Sequence, residues 1–203
     1  GLTSFEVIHE DALHIVVPLY DFLYHYLQSN YPDKMMIYAG ALKKWADNII
    51  TNGVPHNNWD LLQARYIMNV GLVLEDNKEY ADGKGREYYI DYVLNRSGIR
   101  QWSLTRLADY GFDAETGIWA ECPGYSSVVI NDYANFVHQF DTNLQYDLVK
   151  AMPVLSKAVA TTPQYLFPNR MICGFGDTHP GYLSTNFFIR MIQNAQANGK
   201  KEQ

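Results

Sequence analysis

The sequence predicts an all-α protein built from antiparallel helical hairpins. Apolar residues recur at helical spacing through most of the chain, alternating strand-like patterns are almost absent, and Pro, Gly and Asn separate the periodic stretches. The chain has 203 residues, of which 47% are hydrophobic and 19% are charged. This length and composition predict a single helical domain over residues 1–203 with a buried core.

Caps and breakers delimit the first three predicted helices. The first spans residues 6–29. The second begins at Asp33, a candidate N-cap, and ends at Gly53, where we expect a left-handed backbone conformation. The third begins at Asn57 or Asn58 and is mostly apolar, which predicts a buried helix.

Five more helices follow along the chain. The fourth is interrupted by glycines and becomes regular near Lys84, and a shorter fifth helix closes at Gly111. We expect the remaining three at about residues 126–141, 144–160 and 184–198. Long irregular segments separate some of these helices, and such loops are more often functional than merely connective.

Three polar clusters fall at loops or helix starts: residues 55–59, 113–125 and 174–182. In the first, Asn57 and Asn58 lie at a helix N-terminus, where side-chain amides and free backbone N–H groups can bind a carboxylate. The alternative is that one of these two residues is only the N-cap.

The second and third clusters contain residues suited to proton transfer. A Pro-Gly turn separates Glu121 from Tyr125 and could direct both side chains into one cleft, although Tyr125 could also be a simple packing residue. Trp119 could serve as a platform for a sugar ring or as a loop anchor. Asp177 and His179 suggest an acid and base pair or part of a metal site, unless Asp177 caps the following turn.

Several function classes are excluded by the composition. The net charge of −6 argues against nucleic-acid binding, and no apolar run is long enough to cross a membrane. No phosphate loop, serine nucleophile elbow or zinc-protease helix is present, so we expect neither a cofactor nor a metal. We expect Cys122 and Cys173 to be buried free thiols, and a disulfide between them stays open as the alternative for an exported protein.

The ordered motifs resemble the heparinase II/III-like polysaccharide lyases over about residues 55–190. They comprise an N-N-W sequence that opens a helix, a D-x-x-T-G-x-W-x-E-x-P-G-Y loop and an F-G-D sequence before the last helix. The residues that carry the loop part of the resemblance are Asp113, Gly117, Trp119, Glu121, Pro123, Gly124 and Tyr125.

This resemblance implies an incomplete α/α toroid, normally followed by a large antiparallel β-sandwich domain that this chain lacks. We therefore expect the chain to be a fragment of a longer protein, with the missing β-sandwich domain as its partner. The implied substrate is an acidic polysaccharide or oligosaccharide, and we expect a periplasmic or secreted location.

The resemblance also implies β-elimination at a uronic acid. Such a reaction needs a neutralised carboxylate, a base at C5 and an acid for the leaving oxygen. By resemblance, Asn58 with Asn57 neutralises the carboxylate, Tyr125 is the base or the acid, and Glu121 holds the geometry. His56 and His179 are the candidates for a second proton-transfer group.

The expected catalytic residues are therefore Tyr125, Asn58, Glu121 and His179. The expected substrate-binding residues are Asn57, His56, Trp59, Trp119, Arg65 and Arg170.

Two alternatives remain open at this point. A glycoside hydrolase would use two carboxylic acids, for which Asp113, Glu121 and Asp177 are candidates. A noncatalytic glycan-binding module would need only the aromatic surface.

Overall fold

The computed structural model describes residues 12–179 and 181–199. Over these residues the chain forms α-helices joined by turns and loops, with isolated bridges in place of β-strands, so the all-α prediction is confirmed. The toroid arrangement stays a prediction. The helices are α1 (Leu13–Asn30), α2 (Met35–Asn52), α3 (Asn58–Val73), α4 (Arg86–Asn95), α5 (Leu104–Gly111), α6 (Pro123–Gln139), α7 (Leu148–Ala151), α8 (Val154–Thr161) and α9 (Asn186–Ala197).

The chain divides into two compact units, which we call the N-terminal unit (Gly1–Arg106) and the C-terminal unit (Leu107–Gln203). The predicted organisation as one domain stays a prediction. In the part of the chain that the structure describes, no helix is both long and apolar enough to cross a membrane.

Helix α3 is the centre of the N-terminal unit. It packs against α1, α2 and α4, and it is buried on most sides because apolar residues occupy most of its circumference. Leu61, Ile67 and Met68 have no exposed surface. The sequence therefore correctly predicts both the start and the buried character of this helix.

Asp60 is a fully buried carboxylate in the first turn of α3. It accepts hydrogen bonds from the backbone N–H groups of His56 and Trp102, each at 3.1 Å, and from the side-chain amide of Gln101. Burial raises the pKa of Asp60 to about 7, even though the two backbone donors act in the opposite direction. Asp60 thus ties the segment before α3 to the segment before α5.

Helix α6 is the centre of the C-terminal unit. It packs against α7, α8 and α9 and contributes Val129, Ile130 and Tyr133 to the core. Phe187 of α9 is fully buried in this unit. Asn186, the first residue of α9, joins this helix to α6, since its side-chain amide donates to the side-chain oxygen of Asn131 on α6 at 2.9 Å.

A loop that follows α5 lies directly on α8. Gly117 has a φ of 73°, and a Cβ added there would lie 2.5 Å from the carbonyl carbon of Lys157. The Lys157 ammonium donates to the Ala114 carbonyl at 2.7 Å, and the Thr161 hydroxyl donates to the Thr116 carbonyl. The loop therefore has a fixed position, and only glycine fits at its closest approach to the helix.

Two predicted helix boundaries differ from the structure for identifiable reasons. Helix α6 begins at Pro123 rather than at residue 126, because proline is well tolerated in the first turn of a helix, where its missing N–H has no partner to lose. Gly53 follows α2 with φ −60° and ψ 176°, so the predicted left-handed conformation is wrong. A Cβ at Gly53 would lie 2.6 Å from Nε2 of Gln63, which indicates that close packing requires this glycine.

Three other predicted boundaries also shift. The first residues of the predicted helix 6–29 lie outside the described residues. Asp33 lies within a short 3₁₀ turn, and α2 itself begins at Met35. The predicted helix 144–160 is divided into α7 and α8, because Pro153 precedes α8 and cannot continue the hydrogen bonding of α7.

We expect the stability of the protein to carry a pH dependence from Asp60. Its folded pKa of about 7 lies above the ordinary 3.8, so its stabilising contribution is complete below pH 3.8 and is lost as the pH rises from there to about 7. In urea titrations, we subtract the unfolding free energy of Asp60→Asn from that of the unsubstituted protein. This difference should fall by roughly 1.4 kcal/mol per pH unit between pH 3.8 and about 7. A difference that stays constant with pH would contradict the assignment.

A second prediction concerns the contact between Gly117 and α8. Gly117→Ala should lower the free energy of unfolding by more than about 2 kcal/mol, because backbone strain and overlap with α8 add together. Gly83→Ala is the matched control: its φ is also positive, at 65°, but no atom lies within 4 Å of the added Cβ. We expect about 1 kcal/mol for this control in urea unfolding. Equal losses for the two variants would contradict the close approach.

Candidate functional site

The second and third polar clusters meet at the N-terminus of α6. The backbone N–H of Gly124, in the first turn of this helix, donates to the Thr178 hydroxyl oxygen at 2.9 Å. A Cβ added to Gly124 would lie 3.2 Å from that oxygen. The absence of a side chain at Gly124 thus lets residues 174–179 lie directly against the helix.

Tyr125 and Asp177 form the central pair of this site. The Tyr125 hydroxyl donates to Oδ2 of Asp177 at 3.0 Å, and this hydrogen bond raises the pKa of Tyr125. Tyr125 is half-buried and Asp177 is exposed, so both side chains can be reached from solvent. The phenol of Tyr125 is therefore protonated at neutral pH and open to solvent, as a proton donor must be.

Trp119 anchors the loop that precedes α6. Its side chain is 2% exposed and packs on Phe112, with 5.0 Å between ring centroids. A side chain at Gly111 would overlap the Trp119 ring. The structure therefore shows Trp119 as a loop anchor, which is one of the two predicted alternatives. The other alternative, a platform for a sugar ring, is wrong because the ring is buried.

The same tryptophan positions Glu121. The indole N–H of Trp119 donates to Oε2 of Glu121 at 2.6 Å, which fixes the carboxylate of Glu121 two residues before the start of α6. This contact is consistent with the predicted role of Glu121, which is to hold the geometry of the site. The catalytic role of Glu121 stays a prediction.

Cys122 is the N-cap residue of α6. The pKa of the Cys122 thiol is lowered, mainly by a hydrogen bond with the Thr178 side chain and secondly by one with the backbone N–H of Tyr125. Cys122 and Cys173 are both free thiols and are half-buried. The sequence gives no sign that Cys122 belongs to the site, since this depends on Thr178, which lies far away along the chain.

His179 and Arg170 lie on the same long loop as Asp177. His179 is exposed and follows Asp177 by two residues. Arg170 is exposed at a tight turn and has a positive φ of 66°. The structure thus brings Glu121, Tyr125 and the loop that bears His179 together in one unit.

The remaining predicted residues belong to the N-terminal unit. Asn57 is the N-cap of α3, and its side-chain oxygen accepts the backbone N–H of Trp59 at 3.0 Å. The simpler alternative for Asn57 is thereby confirmed, because its side-chain oxygen is used in the cap. Asn58 is half-buried, and no hydrogen bond within residues 12–179 and 181–199 engages its side chain.

Asn58 and Arg65 share a face of α3, since they are seven residues apart in one helix. His56 and Trp59 lie at the exposed start of this helix, and Trp59 is 37% exposed. The His56 ring lies 4.1 Å from the Trp102 ring, measured between centroids. The roles of Asn58, Arg65, His56 and Trp59 in substrate binding stay predictions.

Asp113 does not suit a pair of hydrolytic carboxylic acids. Asp113 uses one carboxylate oxygen to accept from the N–H and hydroxyl of Thr116, both at 2.7 Å, and these bonds lower its pKa. Asp113 is therefore a turn residue in its charged form rather than a proton donor.

Within the described residues, no group of three His, Cys, Asp or Glu side chains could hold a metal ion.

Comparison with known proteins relates the C-terminal unit to a lyase family. Residues 115–203 match the family model described as the second domain of endo-acting ulvan lyases. The match includes Glu121, Tyr125 and Asp177 but covers less than half of the chain. No curated protein and no solved structure gives a significant match. The findings support a polysaccharide lyase at the family level and do not confirm the narrower heparinase II/III-like assignment.

We expect Asp177→Asn to lower the pKa of Tyr125 towards its ordinary value, because the hydrogen bond to the carboxylate is the largest cause of the raised pKa. The pKa can be followed by NMR of ¹³C-labelled tyrosine, with the resonance assigned by its loss in Tyr125→Phe. Glu121→Gln is the control, since Glu121 contributes least to the shift. An unchanged pKa in Asp177→Asn would contradict the pairing.

Proposed function

We propose that this protein is a polysaccharide lyase that cleaves a uronic-acid-containing glycan by β-elimination. The observation that carries the proposal is the Tyr125–Asp177 hydrogen bond at the N-terminus of α6, inside the region that matches the ulvan lyase family. The narrower assignment to ulvan as the substrate is also part of this proposal. Ulvan is accordingly the first glycan to test.

β-Elimination of a uronate breaks the bond between C4 and its glycosidic oxygen. A base removes the proton at C5, the electron pair forms the C4–C5 double bond, and the departing oxygen takes a proton from an acid. Charge develops on the uronate carboxylate before the oxygen leaves, so positive or hydrogen-bonding groups near this carboxylate lower the barrier. No external oxidant or water molecule is consumed.

Tyr125 is the proposed acid. A tyrosine is already protonated at neutral pH, and the Asp177 carboxylate raises the pKa of Tyr125 further, which disfavours a phenolate base and leaves the role of acid for this residue. Asp177 accepts from the hydroxyl and fixes the direction of the ring. Glu121, held by Trp119, is proposed to keep the neighbouring loop in position.

His179 is the proposed base at C5. It lies on the loop of Asp177, it is exposed, and imidazole is the side chain that most readily accepts a proton near neutral pH. Asn58 is proposed to bind the uronate carboxylate, as the family resemblance implies. His56, Trp59 and Arg65 are proposed as further substrate contacts on the N-terminal unit.

The acidic nature of the glycan and the location of the protein belong to the same proposal. A uronic-acid polymer is too large and too charged to cross a membrane unaided. We therefore propose a periplasmic or secreted location, where such a polymer is accessible.

The proposal is tested by following the ultraviolet absorbance of the unsaturated uronate during incubation with ulvan. Tyr125→Phe should lower the rate roughly 10²–10⁴-fold, because it removes the proton donor while it keeps the ring. Tyr146→Phe is the control: this residue is 38% exposed in the same unit and packs on Phe140. We expect its rate to be unchanged.

Two results would contradict the proposal. One is the absence of any rise in absorbance with ulvan and with other uronate polysaccharides. The other is a rise that Tyr125→Phe and Tyr146→Phe reduce equally, since the effect would then not depend on a proton donor at residue 125.

A further inference from the structure

Residues 165–167, 171–173 and 181–182 form a small patch of three antiparallel chain segments. Isolated bridges pair Leu166 with Ile172 and Met171 with Tyr182. The Phe167 N–H donates to the Met171 carbonyl at 2.9 Å, which extends the pairing on one side. Because bridge partners point to the same face and chain neighbours to opposite faces, Phe167, Met171 and Tyr182 share one face.

This face is open and aromatic, whereas the opposite face is covered. Ile172, on the covered face, is 9% exposed, while Phe167 is 52% and Tyr182 is 78% exposed. Directly opposed residues have Cβ atoms about 5 Å apart, so the Cβ atoms of Phe167 and Tyr182, on either side of Met171, are roughly 10 Å apart. This spacing is about the length of a disaccharide. We call Phe167, Met171 and Tyr182 the aromatic platform.

Arg170 lies at the edge of the aromatic platform in an unfavourable backbone conformation. The Arg170 N–H donates to the Phe167 carbonyl at 2.8 Å, which closes a tight turn, and Arg170 has a φ of 66°. In three-residue hairpin loops of this kind, glycine is the usual residue at the left-handed position. The turn thus holds an exposed arginine where glycine would be less strained.

The aromatic platform carries one charged residue at its hairpin turn, Arg170, and Asp177 lies further along the chain between Met171 and Tyr182. From Thr161 to Gly176, Arg170 is the sole charged residue in the sequence. A guanidinium group binds carboxylate or sulfate with two parallel hydrogen bonds, and aromatic faces support the apolar faces of sugar rings. This combination suits an acidic saccharide better than a neutral one or a purely apolar partner.

We propose that Phe167, Tyr182 and Arg170 form a subsite for an acidic saccharide unit of the substrate chain. The subsite is distinct from the Tyr125–Asp177 pair, but Asp177 lies in the chain between Met171 and Tyr182, which are bridged beside the subsite. A glycan bound on the aromatic platform would be held by the same segment that positions Asp177. The identity of the saccharide rests on the proposed lyase function.

The subsite is tested by calorimetric binding of ulvan oligosaccharides, prepared by partial acid hydrolysis, to the chain that carries Tyr125→Phe. This background prevents cleavage during the titration. Phe167→Ala and Tyr182→Ala should each weaken binding about tenfold, because each removes one stacking surface. Phe22→Ala is the control, since Phe22 is 86% exposed on α1 of the N-terminal unit. We expect it to leave the affinity unchanged.

Arg170→Gly separates a role in binding from a role in folding. It should weaken binding about tenfold and make the affinity less dependent on salt, because the ion pair with the saccharide is lost. The Tm should stay the same or rise, because glycine adopts the positive φ without strain. A structural role for the arginine would instead lower the Tm.

The proposal is overturned if the oligosaccharides do not bind, or if all three substitutions leave the affinity unchanged, or if Phe22→Ala weakens binding as much as they do. Failure of the lyase function is a separate result. In that case no unsaturated product forms with the chain that retains Tyr125, while binding still depends on Phe167, Tyr182 and Arg170.

Discussion

The contact between Thr178 and the first turn of α6 is the constraint on which the candidate site depends. The Thr178 hydroxyl accepts the Gly124 N–H at 2.9 Å and also interacts with the Cys122 thiol. A single hydrogen bond of this kind contributes only about 1 kcal/mol to stability. Its effect on geometry is larger, because Asp177 is the adjacent residue and reaches the Tyr125 hydroxyl only while the loop lies on the helix.

The loop before α6 is held in place by a different kind of interaction. Trp119 is buried against Phe112 and Gly111, and its indole N–H is satisfied by Glu121. A buried tryptophan fixes a loop more firmly than surface hydrogen bonds do, because its large apolar area would otherwise be exposed to water. The two sides of the site are therefore positioned by apolar burial on one side and by hydrogen bonds on the other.

Part of this arrangement could be predicted from the sequence. Helical periodicity correctly predicts an all-α chain, and the Asn57 cap correctly predicts the start of α3. The sequence singles out the second and third polar clusters only separately, and the Tyr125–Asp177 hydrogen bond joins them in the structure. Local patterns carry this information because helix periodicity and capping depend on residues that are close in the chain.

The remainder depends on contacts between distant residues. Gly124 and Thr178 are 54 positions apart, so nothing in the local sequence predicts that they meet. The requirement for glycine at residue 53 follows from its close packing against Gln63. The burial of Trp119 likewise depends on the missing side chain at Gly111. The start of α6 at Pro123 is different, because the preference of proline for the first helical turn was available from the sequence.

The central claim is that the chain cleaves its glycan by elimination rather than by hydrolysis. Digestion of ulvan in H₂¹⁸O, followed by mass spectrometry of the products, tests this most directly. Elimination consumes no water, so we expect unsaturated products, each lighter by one water than its hydrolytic counterpart, with no ¹⁸O incorporated by bond cleavage. Saturated products that carry ¹⁸O at the newly formed end would contradict the account and indicate hydrolysis.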